Sequence, residues 1–215
     1  MFFMNKILLT TRPKHDYTTH YLFYWASEII KLARDKGVSV LDLKKKRANR
    51  KEFESMLSKK EPLLVFLNGH GNADCVAGHD DEILLEAGKN EELLEMKIIY
   101  ALSCKSAKEL GPKSVGSGAL SYVGYDNDFV FLWEEGKISK PLEDKTAQLF
   151  LEPSNCVVGS LLKGHTVGEA CRKSKQLFLK NIHELLTSEN SSEIVPYLMW
   201  DMRHQVCLGD RSSSF

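Results

Sequence analysis

Residues 63–67 (LLVFL) and 97–102 (KIIYAL) are almost unbroken apolar runs, each short enough to be one strand. A strand with one wet face alternates apolar and polar side chains. A strand apolar on both faces must be covered on both, as in a parallel sheet between two layers of helices. The segments around these runs supply the helices. Residues 17–35 set Leu22, Trp25, Ile29 and Leu32 or Ala33 on one helical stripe, and Gly37 stands just past its end. Asn49 and Glu52 make a capping-box signal for a short helix that would bury Phe53, Met56 and Leu57. Thr166 and Glu169 make another, for a helix running to about residue 186.

Residues 6–11 (KILLTT), 38–43 (VSVLDL), 119–124 (ALSYVG) and a stretch near 197–208 read as further strands, and residues 75–85 as a hairpin in a polar loop. Such alternation predicts an α/β fold, a three-layer sandwich around a mostly parallel six-stranded sheet with helices on both faces. No repeat, linker or low-complexity tract interrupts residues 1–215, so one domain is expected. Residues 187–193 (TSENSSE) read as a polar loop, and 211–215 as a frayed tail.

Charge excludes some functions. Lysine plus arginine equals aspartate plus glutamate at 29 each, which speaks against a general nucleic-acid or membrane-surface binder. The basic run Lys44–Arg47, with Arg50 and Lys51, reads as solvated surface. Five cysteines, an odd number with no CxxC pair, fit a reducing compartment, here taken as the cytoplasm. The N-terminal residues lack the basic region and cleavage site of a signal peptide, and no apolar stretch is long enough to span a bilayer.

Ligands of open parallel sheets bind beyond the carboxyl ends of the strands. Two runs end there in reactive residues. The first leads into Asn68-Gly69-His70-Gly71, the second into Ser103-Cys104. If the two strands are neighbours, an imidazole and a thiol share one rim, the arrangement a thiol nucleophile needs. Residues 105–111 read as a short helix, whose N-terminus would favour the thiolate, with Lys105 nearby. Gly71 and Cys104 could offer backbone N–H groups to an oxyanion, and Gly69 permits close approach of chain or substrate.

Together these segments resemble the caspase-like cysteine peptidases, and most closely their gingipain and CHAT branch. The resemblance rests on FLNGHGN (66–72), IYALSCKSAKELG (99–111), GALSYVGYDNDFV (118–130), VVGSLLKGHTVGEACRKSKQLFL (157–179) and VCLGD (206–210). It implies a caspase-like fold, His70 and Cys104 as catalytic dyad, Gly71 and Cys104 as oxyanion-hole donors, and a protein or peptide substrate. Substrate contacts would come from Gly69, Asn72, Leu102, Ser103, Tyr125 and Asp126. Members that cleave after arginine or lysine carry an acid two positions before the cysteine, where this chain has Leu102. Basic specificity would then need Asp126 or Asp128, and a small or apolar residue is the equal alternative. An activating partner protein is expected, and residues 136–140 are a candidate self-cleavage site. No cofactor is needed.

Two other readings stand beside the peptidase: a non-catalytic signalling or scaffolding module, and a thiol hydrolase of small amides or esters. An open groove along the fifth strand would favour the peptidase. His79, Asp80 and Asp81 with His70, Cys75 or Asp74 match no standard metal-site spacing, and no metal is expected there, although the resemblance leaves calcium open. A phosphatase loop needs an arginine that CKSAKELG lacks. The other four cysteines read as structural, and Trp25, Trp133 and Trp200 as core or pocket walls.

Overall fold

The computed structural model describes residues 6–187 and 192–215. Most of the expected loop at 187–193 lies outside them. Six strands form one sheet: β1 (Ile7–Arg12), β2 (Ser39–Lys44), β3 (Leu64–Asn68), β6 (Ile98–Leu102), β7 (Ser121–Tyr125) and β8 (Gln205–Gly209). Their order is β2-β1-β3-β6-β7-β8, with all neighbours parallel except β8, which runs antiparallel to β7 at the edge. A two-stranded hairpin, β4 (Cys75–Ala77) with β5 (Ile83–Glu86), sits apart from the sheet, within the stretch expected to form one.

The central strands are covered on both sides, as their composition requires. On β3, Leu64 and Phe66 enter one core cluster while Val65 and Leu67 enter the other, and Ile98, Tyr100 and Leu102 of β6 separate from Ile99 and Ala101 in the same way. Phe66 and Tyr100 stack at 5.5 Å between ring centroids. Helices α1 (Tyr17–Asp35), α4 (Lys145–Leu162), α5 (Val167–Thr187) and α6 (Val195–His204) cover the first face. Helices α2 (Arg50–Lys60) and α3 (Leu110–Gly116) and the hairpin cover the second. Each fully buried large apolar side chain contributes roughly 1.5–3 kcal/mol relative to exposure. The expected α/β three-layer architecture is therefore the one observed.

Both capping signals operate. Asn49 accepts from the Glu52 N–H at 2.9 Å, although Glu52 turns to Arg47 instead of reaching back. Thr166 and Glu169 bond reciprocally. The end of the chain differs from expectation. Residues 195–204 are helix, and only Gln205–Gly209 is strand. Pro196 in the first turn and burial of Val195, Leu198 and Asp201, three apart, are helical signals. Helix α4 carries Pro153 in its interior, which removes the N–H that the Leu149 carbonyl would accept from. Asn181 of α5 supplies the missing donor at 2.9 Å, so α4 survives its proline because α5 packs on it. The last residues do not fray. Phe215 is buried, Ser214 bridges to Thr166, and Lys6 donates to the Phe215 carbonyl at 2.7 Å. No described helix is long and apolar enough to cross a membrane.

Candidate functional site

Strand register brings the two motifs together. Asn68 pairs with Leu102 at the carboxyl ends of β3 and β6, and His70 and Cys104 each lie two residues further on. The glycines around His70 are forced by packing. A Cβ on Gly69, at φ +150°, would stand 2.3 Å from the Ala77 carbonyl oxygen. Gly69 thus permits the close approach of the hairpin. A Cβ on Gly71 would stand 2.9 Å from the Cys75 carbonyl oxygen, 3.0 Å from Ser103 Cβ and 3.1 Å from the Cys104 carbonyl oxygen. The backbone after His70 therefore lies directly on the backbone of Cys104. Neither the Gly71 N–H nor the Cys104 N–H has a hydrogen-bond partner among the described residues.

A third strand end completes the rim. β1 neighbours β3, and four residues past it Asp16 accepts a hydrogen bond from His70 Nε2 at 2.5 Å. Asp16 divides its carboxylate. Oδ1 caps α1 by accepting from the Thr19 N–H and hydroxyl, each at 2.7 Å, while Oδ2 faces His70. Partial burial disfavours this carboxylate, but the bonds from His70 and Thr19 outweigh it and lower its pKa to about 2. Donation to Asp16 places the His70 proton on Nε2 and leaves Nδ1 as the basic nitrogen. The sequence reading did not include Asp16. Its signal was an acid at an expected strand end, just before the first helical stripe.

Cys104 is part-buried, and its S–H donates to the Phe129 carbonyl at 3.7 Å. Burial pushes the thiol pKa up, and nearby Asp128 adds to this against the pull of Lys105. Helix α3 begins only at Leu110, so no helix N-terminus stands at the cysteine as expected. Residues 105–107 form a turn instead, with Lys105 at φ +58°, and donate from the Lys105 and Ala107 N–H groups to the carbonyls of Asn127 and Tyr125. Lys105 extends to Asp128 at 3.0 Å.

The remaining expected substrate residues are placed unevenly. Leu102 is buried in the core. Ser103 is buried and bonds to Ser106 at 2.8 Å. Tyr125 is buried with its hydroxyl 3.0 Å from Ser154 Oγ. The side chains of all three are covered, because they belong to strands covered on both faces or to the turn beneath Gly71. Asn72 is exposed in the turn before β4, and its Oδ1 accepts from the Ala73 N–H. Asp126 is partly exposed and accepts a hydrogen bond from His204 Nδ1 at 2.7 Å, a second imidazole–carboxylate pair that the sequence did not signal. The acids proposed for basic specificity are thus both engaged, Asp126 with His204 and Asp128 with Lys105. The fifth strand of the sequence reading, β7, carries no open edge, because β8 pairs along it from Ser121 to Tyr125.

On the open side of Asp16, a cleft of about 480 Å³ is bordered by Lys14, His15, Asp16, Tyr17, His20 and Ile138. His15 stands between His70 and His79, its ring centroid 5.9 Å from the first and 5.3 Å from the second. No protein-family model matches the chain, and no curated protein sequence does either. The resemblance to caspase-like peptidases therefore rests on the sequence motifs alone.

Proposed function

We propose that the protein is a cysteine hydrolase, in the first place an endopeptidase, working through Asp16, His70 and Cys104. One observation carries the reading: these three residues occupy the carboxyl ends of the adjacent parallel strands β1, β3 and β6, with His70 held by Asp16 and Gly71 packed onto Cys104.

His70 Nδ1 takes the thiol proton, and Cys104 Sγ attacks the scissile carbonyl carbon. The resulting oxyanion meets the unpartnered N–H groups of Gly71 and Cys104. The His70 imidazolium returns its proton to the leaving amine, and a thioester forms. Water, deprotonated by His70, then releases the acid and restores the thiol. Asp16 holds the tautomer and stabilises the imidazolium. No cofactor takes part in these steps.

Burial raises the Cys104 pKa, and its S–H donates to the Phe129 carbonyl, a bond that attack must break. Substrate or an activating partner protein would aid that release. With Asp126 and Asp128 already paired, the side chain before the cut is expected to be small or apolar. The closed β7 edge favours the small-amide alternative over a peptide that adds a strand there, so the test must distinguish them. A proteome-derived peptide mixture is digested with wild type and Cys104→Ala, and new termini are read by mass spectrometry. New termini in the wild type alone support a peptidase. Their absence, with Cys104-dependent hydrolysis of small thioesters, supports the alternative. Absence of both leaves a non-catalytic module.

A further inference from the structure

Three ligand groups, those of His15, His70 and Asp81, converge at the proposed catalytic histidine, and Asp16 adjoins two of them. His15 Nε2 lies 3.3 Å from Asp81 Oδ1 and 3.9 Å from Asp16 Oδ2, and His70 Nε2 lies 2.5 Å from the same Asp16 oxygen. Ligand atoms of His15, His70 and Asp81 fall within 4.8 Å of one another. Tetrahedral zinc with bonds of about 2.0–2.2 Å to nitrogen and oxygen brings its donors to roughly 3.4 Å apart, so small side-chain rotations close this set.

We propose that His15, His70 and Asp81, with Asp16 in the fourth position, form a site for a zinc-class divalent cation that silences the dyad by occupying His70. The silencing rests on the function proposed above; the cation binding does not.

Three features support the site. Two imidazoles and two carboxylates are the donor types that zinc takes, and three separate segments deliver them: the β1–α1 loop, the β3 end and the loop before β5. Asp81 is delivered by a costly backbone. Asp80 and Asp81 stand at φ +53° and +58°, two consecutive non-glycine residues in the left-handed region. His15, finally, turns its Nε2 toward the carboxylates of Asp81 and Asp16. His79 with Asp80 forms a competing set around His15. It is the poorer one, because His79 Nδ1 accepts the Lys14 N–H, which commits its other nitrogen to a proton.

Binding Nε2 of His70 displaces its proton and its bond to Asp16, leaving the imidazole fixed and unable to turn toward Cys104. Metal removal would restore the pair.

Zinc chloride is titrated into the whole protein against a fluorescent chelator, for wild type, His15→Gln, Asp81→Asn, His79→Gln and Cys104→Ser. Thermal melts without zinc establish that each variant is folded. The expected result is one zinc ion per chain, weakened roughly 10- to 100-fold in His15→Gln and Asp81→Asn, and unchanged in His79→Gln and Cys104→Ser. No stoichiometric binding, or binding unmoved by folded His15→Gln, overturns the site. Loss of binding in Cys104→Ser also overturns it, since the thiol would then be the ligand. Because this readout needs no turnover, the site stands or falls separately from the dyad.

Discussion

Two imidazole–carboxylate pairs flank the strand that carries Cys104. On the β3 side, His70 Nε2 meets Asp16 at 2.5 Å. On the β7 side, His204 Nδ1 meets Asp126 at 2.7 Å. By bond length the pairs are alike, and their surroundings separate them. His70 is followed by a glycine whose backbone rests on Cys104, and His70 is part of an open rim. His204 ends α6, stacks on Trp200 at 4.3 Å between centroids, and its carbonyl accepts the Asp126 N–H. The second pair is tied at backbone and side chain and joins α6 to the loop after β7. The first is joined by one side-chain bond and stands at the strand end aligned with the one that leads to Cys104. A hydrogen-bonded histidine–aspartate pair is therefore not enough to identify a base; its place relative to the thiol decides it.

The sharpest break between the two pairs is substitution of the histidines. His70→Ala is expected to lower Cys104-dependent turnover by roughly 10²- to 10⁴-fold, the usual contribution of a general acid–base group. His204→Ala is expected to lower it little while reducing thermal stability, and equal losses would erase the distinction. Gly71→Ala should follow in size. Its Cβ would press on Ser103 and on the Cys104 carbonyl, so kcat should fall roughly 10²-fold through the displaced oxyanion donor, while the alkylation rate of Cys104 changes less.

Asp16→Asn probes positioning. Asparagine still caps α1, so stability should change by less than about 1 kcal/mol. Its amide, however, donates to His70 and moves the imidazole proton to Nδ1, so kcat should fall more than tenfold with KM nearly constant. Asp126→Asn should leave kcat nearly unchanged.

The smallest effect is in acid. Because folding lowers the Asp16 pKa from its ordinary 3.8 to about 2, its contribution to stability is full above the unfolded value and is lost as pH falls through about 2. The stability gap between wild type and Asp16→Asn should hold from neutral pH to about pH 4 and close below that, as measured by denaturant unfolding at fixed pH.

The sheet was legible because LLVFL and KIIYAL are apolar on both faces, which only a two-sided cover satisfies. Helix α1 was legible from its stripe. The last strand is shorter than expected because Val195, Leu198 and Asp201, three apart, and Pro196 in the first turn make a helix of the residues before Gln205. Helix α4 was obscured by Pro153, whose repair by Asn181 lies outside the segment. His70 and Cys104 could be read because each ends a run, and parallel register aligns run ends. Asp16 and His15 could not be paired with them, since nothing local says that β1 lies next to β3. The resemblance points to Leu102, Ser103 and Tyr125 as substrate contacts, and the fold buries the side chains of all three.

The central claim is tested most directly by iodoacetamide alkylation of Cys104 between pH 6 and 9, read by peptide mass spectrometry in wild type, His70→Ala and His204→Ala. Cys207, whose pKa is lowered by Cys171 beside it, is replaced by serine in all three to remove a competing thiol. The account predicts that Cys104 reacts at least tenfold more slowly at pH 7 in His70→Ala, and at the wild-type rate in His204→Ala. Equal Cys104 rates in all three proteins across the pH range would contradict it.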